Sequence, residues 1–241
     1  MISIFIKEVN EFLNSLIAYV VIGVFLIGIG LLMWVFPDTN ILDYGYASLE
    51  PLFSFGPYVF MFLIPAITMK SFAEERRTGT IELLQTLPFR DSQIILGKFF
   101  AGFFLVLFSV IPTLVYYFSV SSLGNPVGNL DTPGIIGSYI GLVLLGGVFT
   151  SIGILSSALT GNQIVSFILA AFLSFFFYTG IDSVASINVW ADWSYYISEF
   201  GIMAHYSSIS RGLLDLVDIV YFVSLIAIML LLTQLIIGSR K

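Results

Sequence analysis

The chain has 241 residues, of which 58% are hydrophobic and 10% charged, with a mean hydropathy of +1.02. Globular chains are about 45–50% apolar and about 25% charged, so one soluble core of this size could not hide the apolar surface; disorder fails on the same composition, and a disulfide-stapled scaffold fails on the absence of cysteine. A net charge of −6 and a pI of about 4.6 lack the basic footprint of a nucleic-acid partner, which leaves an all-α integral membrane protein in a lipid bilayer.

Residues 1–14 come first. Ile2, Phe5, Ile6, Val9, Phe12 and Leu13 share one helical face, and Lys7, Glu8, Asn10, Glu11 and Asn14 the other. That spacing is expected of an amphipathic helix lying in a membrane interface; the alternative is a plain extension of the first span. A spanning helix needs about 20 mostly apolar residues. Six stretches qualify: 16–36, 55–72, 93–118, 135–158, 162–180 and 217–237. No period-2 alternation points to a barrel. The first stretch is too long for a signal-peptide core and lacks a small-residue cleavage site, so it is read as a retained helix.

Pro65 in the second span and Pro112 in the third remove ladder hydrogen bonds and predict kinks. Between these spans lies the loop 71–92. The second span is expected to continue as helix through Arg77 and to stop at Gly79, a natural breaker. Thr80 is the expected N-cap of a new short helix, with Glu82 favourably placed in its first turn. Pro88 closes that helix, and Asp91 or Ser92 caps the third span. Ile81, Leu83, Leu84 and Leu87 give it one apolar face for docking on another protein. The alternative is a charged turn that only anchors topology.

In the fourth span Gly137, Gly141, Gly146, Gly147, Ser151 and Gly153 form a stripe of small residues. We read it as a face for close helix packing, with pore lining as the alternative. The last connection, 181–216, carries Trp190, Trp193, Tyr195 and Tyr196, the aromatic belt of a membrane–water boundary. Its apolar positions predict short interfacial helices. Arg211 and Asp215 stand four apart and are candidates for a pair at the entrance of the sixth span. His205, the single histidine, is expected at the interface. The segment reads as a plug that positions the sixth span, or else as an outer gate.

Orientation follows from the basic residues. With both termini in the cytoplasm, the inner segments hold eight of the nine basic residues against six acidic ones, a net of +2. The outer segments hold Arg211 alone against nine acidic residues, a net of −8. Lys98, one turn inside the third span, and Lys70, at the inner end of the second, are expected to snorkel to the cytoplasmic interface.

No Asp, Glu or His falls near the middle of a span, so an ion-coupled carrier lacks its usual coupling group. There is no HExxH pair and no GxxxxGK[ST] phosphate loop. His205 has no serine in a recognisable nucleophile motif to serve. The chain is read as non-enzymatic, and energy for uphill transport would come from another subunit.

The segment Glu74-Glu-Arg-Arg-Thr-Gly-Thr-Ile-Glu-Leu-Leu-Gln-Thr-Leu-Pro88 resembles the signature of ABC-2-type permeases, the membrane subunits of one class of ATP-binding-cassette transporter. Glu74, Gly79, Thr80, Glu82, Leu84 and Pro88 match that pattern position by position. The resemblance extends over nearly the whole chain. Lys7-Glu8 leading into Ala18-Tyr19-Val20, Ser156 to Val165, and His205 to Asp218 resemble other landmarks of the family. The combination is most similar to permeases associated with gliding motility in bacteria of the Bacteroidota.

What the resemblance implies is a single transmembrane domain over 1–241 in a bacterial inner membrane. A cytoplasmic ATPase subunit would contact the coupling loop 71–92, and a second permease copy or a paralogous membrane subunit would complete the pathway. ATP and Mg²⁺ would bind to the ATPase and no cofactor to this chain. The direction it favours is export. A non-transporting scaffold of a motility complex is the alternative, and a passive channel a third.

Overall fold

The computed structural model describes residues 1–43, 45–80, 90–187 and 193–239. Among these the regular structure is helical, without strands. Helix α1 spans Ile2–Leu13 and α2 Leu16–Trp34. Then come α3 (Glu50–Thr68), α4 (Ala73–Arg77), α5 (Asp91–Val110) and α6 (Leu114–Leu123). Helix α7 is Thr132–Leu159 and α8 is Gln163–Phe175. The chain ends with α9 (Ile181–Ala185), α10 (Ser194–Ser198), α11 (Ile202–Ile209) and α12 (Leu216–Gly238).

Among the described residues five helical stretches are long and apolar enough to cross a membrane: Glu50–Arg77, Asp91–Leu123, Thr132–Leu159, Gln163–Ala185 and Leu216–Gly238. A sixth is reached if Ile2–Leu13 and Ala18–Trp34, bent by 70°, count as one. The first span thus does not run straight out of α1. The chain turns sharply at Asn14, whose amide still bonds to the Asn10 carbonyl at 3.0 Å.

Helix starts are set by short polar side chains that accept from otherwise orphaned amides. Asp131 accepts from Gly134 at 3.2 Å to open α7, Asn162 from Ile164 at 2.9 Å to open α8, and Asp215 from Val217 at 3.2 Å to open α12. The third span differs from expectation. Its cap is Arg90, whose amide bonds the Gln93 side chain at 3.2 Å, and Asp91 is the first helical residue. Pro112 breaks that span as foreseen, through the 3-10 turn Ile111–Thr113 between α5 and α6. Helix α3 runs unbroken past Pro57 and Pro65 and gives out only at Thr68.

The centre is α7, with 83% of its most apolar window buried, against 22% for the α8 span and 17% for α12. It packs against α3, α5, α8, α11 and α12. Its small residues are where they touch: a side chain on Gly141 would meet Ile209 Cγ2 at 2.5 Å, and one on Gly146 would meet Val106 Cγ1 at 2.7 Å. These faces are therefore filled by neighbouring helices, as the packing reading requires. Hydroxyls in the middle of α7 fold back onto their own helix, Thr150 Oγ1 to the Gly146 carbonyl at 2.7 Å and Ser156 Oγ to Ile152 at 2.9 Å. That satisfies polar groups where no water reaches.

The bundle has a basic end, carrying Lys7, Lys70, Arg76, Arg77 and Lys98, and an acidic end, carrying Glu50, Asp131, Asp182, Asp215 and Asp218.

Candidate functional site

At the basic end α3 stops and α4 starts after a four-residue turn, and the turn's amides need acceptors. Ser157 of α7 supplies one. Its Oγ accepts from Phe72 N at 2.9 Å and Ala73 N at 3.0 Å, and donates to the Met69 carbonyl at 3.1 Å. One hydroxyl from the central helix thus closes both sides of the break.

Lys98 of α5 closes it from the other direction. The side chain does not snorkel: the residue is only 2% exposed. An ammonium has three donors, and all three are met. Nζ lies 2.6 Å from Glu8 Oε1 of α1, 2.6 Å from the Ser71 carbonyl and 2.8 Å from Glu75 Oε1 of α4. The Phe72 ring sits 5.0 Å from it, a favourable cation–π distance. Taking a lone ammonium out of water costs several kcal/mol, so this burial holds only because the acceptors are fixed around it.

Two carboxylates on one ammonium leave a negative charge over. Lys7 offsets it from the rim, 3.7 Å from Glu75 and 3.9 Å from Glu8. Glu75 Oε2 stays buried with no hydrogen-bond partner.

Helix α1 has a third face that the two-faced pattern hides. Ile4 and Val9 are buried, Glu8 turns inward to Lys98, and Ile2 and Ile6 remain exposed. Gly97 admits the contact: a side chain there would meet Ile4 at 3.1 Å.

Of the expected coupling residues, Glu74 lies 3.8 Å from Arg77 across one helical turn. Gly79 has φ +72, a left-handed conformation that suits glycine and ends α4. Thr80 Oγ1 reaches back to the Glu75 carbonyl at 3.4 Å and to Thr78 Oγ1 at 3.0 Å. Glu82, Leu83, Leu84 and Pro88, and the short helix expected on them, lie outside the described residues. So does Trp190.

At the acidic end α11 tucks under α12. Gly212, at φ +83, lies against Gly134 of α7, where a side chain would strike the Gly134 backbone. Ser138 Oγ donates to the Ser210 carbonyl at 2.7 Å, and Tyr206 Oη to the Phe53 carbonyl at 2.8 Å. Burial pushes the Tyr206 phenol well above its usual range, so it stays a donor.

His205 is buried among protein groups, 6% exposed. Its Nδ1 is 2.6 Å from Asp218 Oδ1, its Nε2 2.9 Å from the Glu199 carbonyl, and its ring stacks on Tyr221 at 3.9 Å. Both nitrogens thus face acceptors. Arg211 and Asp215 do not pair: Arg211 Nε donates to the Ser207 carbonyl at 3.0 Å, while Asp215 caps α12. Trp193, Tyr195, Tyr196 and Phe200 are all exposed.

Sequence reasoning missed Lys98, Glu8, Glu75 and Ser157. A signal was available for Lys98: a charge inside an apolar run calls for a partner, and Glu8 and Glu75 flank spans at the same end.

No curated protein matches the chain. A family model described as ABC-2 family transporter protein matches residues 2–237, almost its full length. That coverage agrees with the several apolar helices of the fold. The chain belongs to the ABC-2 transporter family of membrane proteins.

Proposed function

We propose that this chain is the membrane subunit of an ATP-driven transporter and that residues 71–92 receive the motion of a separate ATPase subunit. The observation that carries the reading is the Lys98 cluster. Its ammonium ties Glu8 of α1, Ser71 of the turn before α4, Glu75 of α4, and α5 into one unit. Glu75 itself lies within the loop on which the ATPase would press. A push on that loop would move α1, α4 and α5 together, and Ser157 would pass it to α7.

Both termini and this loop then lie in the cytoplasm of a bacterial inner membrane, as the basic residues favour. The ATPase partner holds ATP and Mg²⁺, a second copy or a paralogous subunit completes the pathway, and transport runs outward. A link to gliding motility is the narrowest form of the proposal and rests on the subgroup resemblance alone.

The test is co-purification of the chain with its ATPase subunit, followed by ATP-dependent transport in vesicles. Gly79→Trp and Glu82→Lys are each expected to lose the complex or its ATP-dependent activity. If both variants keep both, the coupling role is wrong. If the complex forms but blocking ATP hydrolysis leaves the cellular phenotype intact, the chain is an anchor rather than a transporter.

A further inference from the structure

At the acidic end two successive carbonyls tie the close of α10 to the rest of the bundle. Glu199, the residue that ends α10, offers its carbonyl to His205 Nε2 at 2.9 Å. Phe200 offers the next one to Tyr221 Oη of α12 at 2.8 Å. The imidazole of α11 continues the first tie, with Nδ1 2.6 Å from Asp218 Oδ1 of α12. One ring therefore joins α10, α11 and α12. Around α10 the side chains of Trp193, Tyr195, Tyr196 and Phe200 stand exposed.

The number of protons on the ring follows from its partners. A carbonyl oxygen and a carboxylate only accept, whereas a neutral imidazole has one N–H to give. Either neutral tautomer sets a nitrogen lone pair against an oxygen, at a residue only 6% exposed. The doubly protonated ring meets both contacts. Its charge is also favoured by Glu199 Oε2, 3.8 Å from Nε2, and by the face of Tyr221 with ring centres 3.9 Å apart.

Other charges are turned away. Helix α11 packs mainly on α7, α12 and the π-helical turn Phe176–Gly180. Helix α7 carries no charged side chain, and Tyr178 of the turn lies edge-on to Tyr206. Arg211 is directed to the Ser207 carbonyl and Asp215 to the Val217 amide. Among the described residues Asp218, Glu199 and Tyr221 are the titratable groups that meet the ring.

We propose that His205 is a proton-operated latch: as an imidazolium it binds the end of α10 to the start of α12, and on losing a proton it lets α10 and α11 part from α12. Imidazole is the side chain that changes charge between about pH 5 and 8. The docked form needs the second proton and the parted form does not, so docking is favoured at low pH and weakens as pH rises. In the orientation proposed above the latch answers to acidity outside the cell membrane. It does not rest on the coupling role, because it is read without ATP or an ATPase subunit.

The experiment uses the full chain in detergent, labelled with ¹⁵N-histidine. The chain has one histidine, so one pair of ring-nitrogen signals reports on the latch. Both nitrogens are expected to carry protons at about pH 6, and one of them to be bare by about pH 9. Over the same range amide exchange at residues 202–209, corrected for the intrinsic effect of pH, should quicken about tenfold, as expected for one lost hydrogen bond to a charged group. His205→Gln should abolish this pH dependence. Tyr221→Phe removes only the tie to Phe200, so exchange should quicken at both pH values and the dependence should remain. A bare nitrogen at pH 6, a ring still doubly protonated at pH 9, or unchanged exchange while the ring titrates overturns the latch. So does an undiminished pH dependence in His205→Gln, and the unmodified chain decides the matter should that variant fail to fold.

Discussion

The two ends of the bundle pin short helices to long ones by different means. At the basic end a single ammonium gathers residues 8, 71, 75 and 98 from separate elements. At the acidic end the His205–Asp218 pair joins neighbours 13 residues apart, and neutral contacts do the rest: Gly212 against Gly134, Ser138 to Ser210 and Tyr206 to Phe53. The charged contact at the acidic end is therefore one that α11 and α12 make together, while neutral contacts dock α11 on α3 and α7. The basic end exists only once α1, α4 and α5 are assembled, and losing one member strands the others. The lesson is that a long-range charge cluster couples elements, whereas a local one only fastens them.

Replacing the central cation should have the largest effect. Lys98→Met leaves the buried Glu75 and the partly buried Glu8 facing each other and is expected to cost about 3–5 kcal/mol, read as a lower melting temperature in detergent and faster proteolysis within residues 1–15. Adding Glu8→Gln and Glu75→Gln should recover part of the loss, because neutral groups are cheaper to leave unpaired. A Lys98→Met protein as stable as the parent would break the comparison.

Asp218→Asn keeps the shape of the acidic-end contact and removes its charge. About 1.5–3 kcal/mol is expected, with faster amide exchange confined to α11 and the start of α12. Faster exchange in α1 as well would mean that the two ends are one cooperative unit. Smallest is Ser157→Ala, which leaves the Phe72 and Ala73 amides without their acceptor for about 1–2 kcal/mol. Exchange at those two amides should rise while α11 stays protected.

The sequence made the long elements legible because each answers to a local rule. Apolar length placed the spans, Pro112 marked the break between α5 and α6, and the glycine stripe marked the face where α7 meets its neighbours. Lys98, Glu8 and Glu75 were harder. Along one dimension Lys98 is a charge one turn inside a span, and snorkelling is the ordinary outcome for such a lysine. Only the fold brings a glutamate 90 positions away to 2.6 Å from it. Glu8 was assigned to the polar side of α1 because two faces suffice for a helix on a membrane, whereas this one also touches protein. The pairing of His205 is hidden for a related reason: its carboxylate partner, Asp218, belongs to the next span rather than to its own segment.

The central helix carries a consequence of its own. With 28 residues α7 is a rod about 42 Å long, while the hydrocarbon layer is about 30 Å thick. It must lean or protrude, and it holds Ser157 near one tip and Gly134 near the other. A helix that bears on both ends of the molecule makes bilayer thickness a mechanical input: a thinner membrane asks for more tilt, and tilt shifts the two tips sideways in opposite directions.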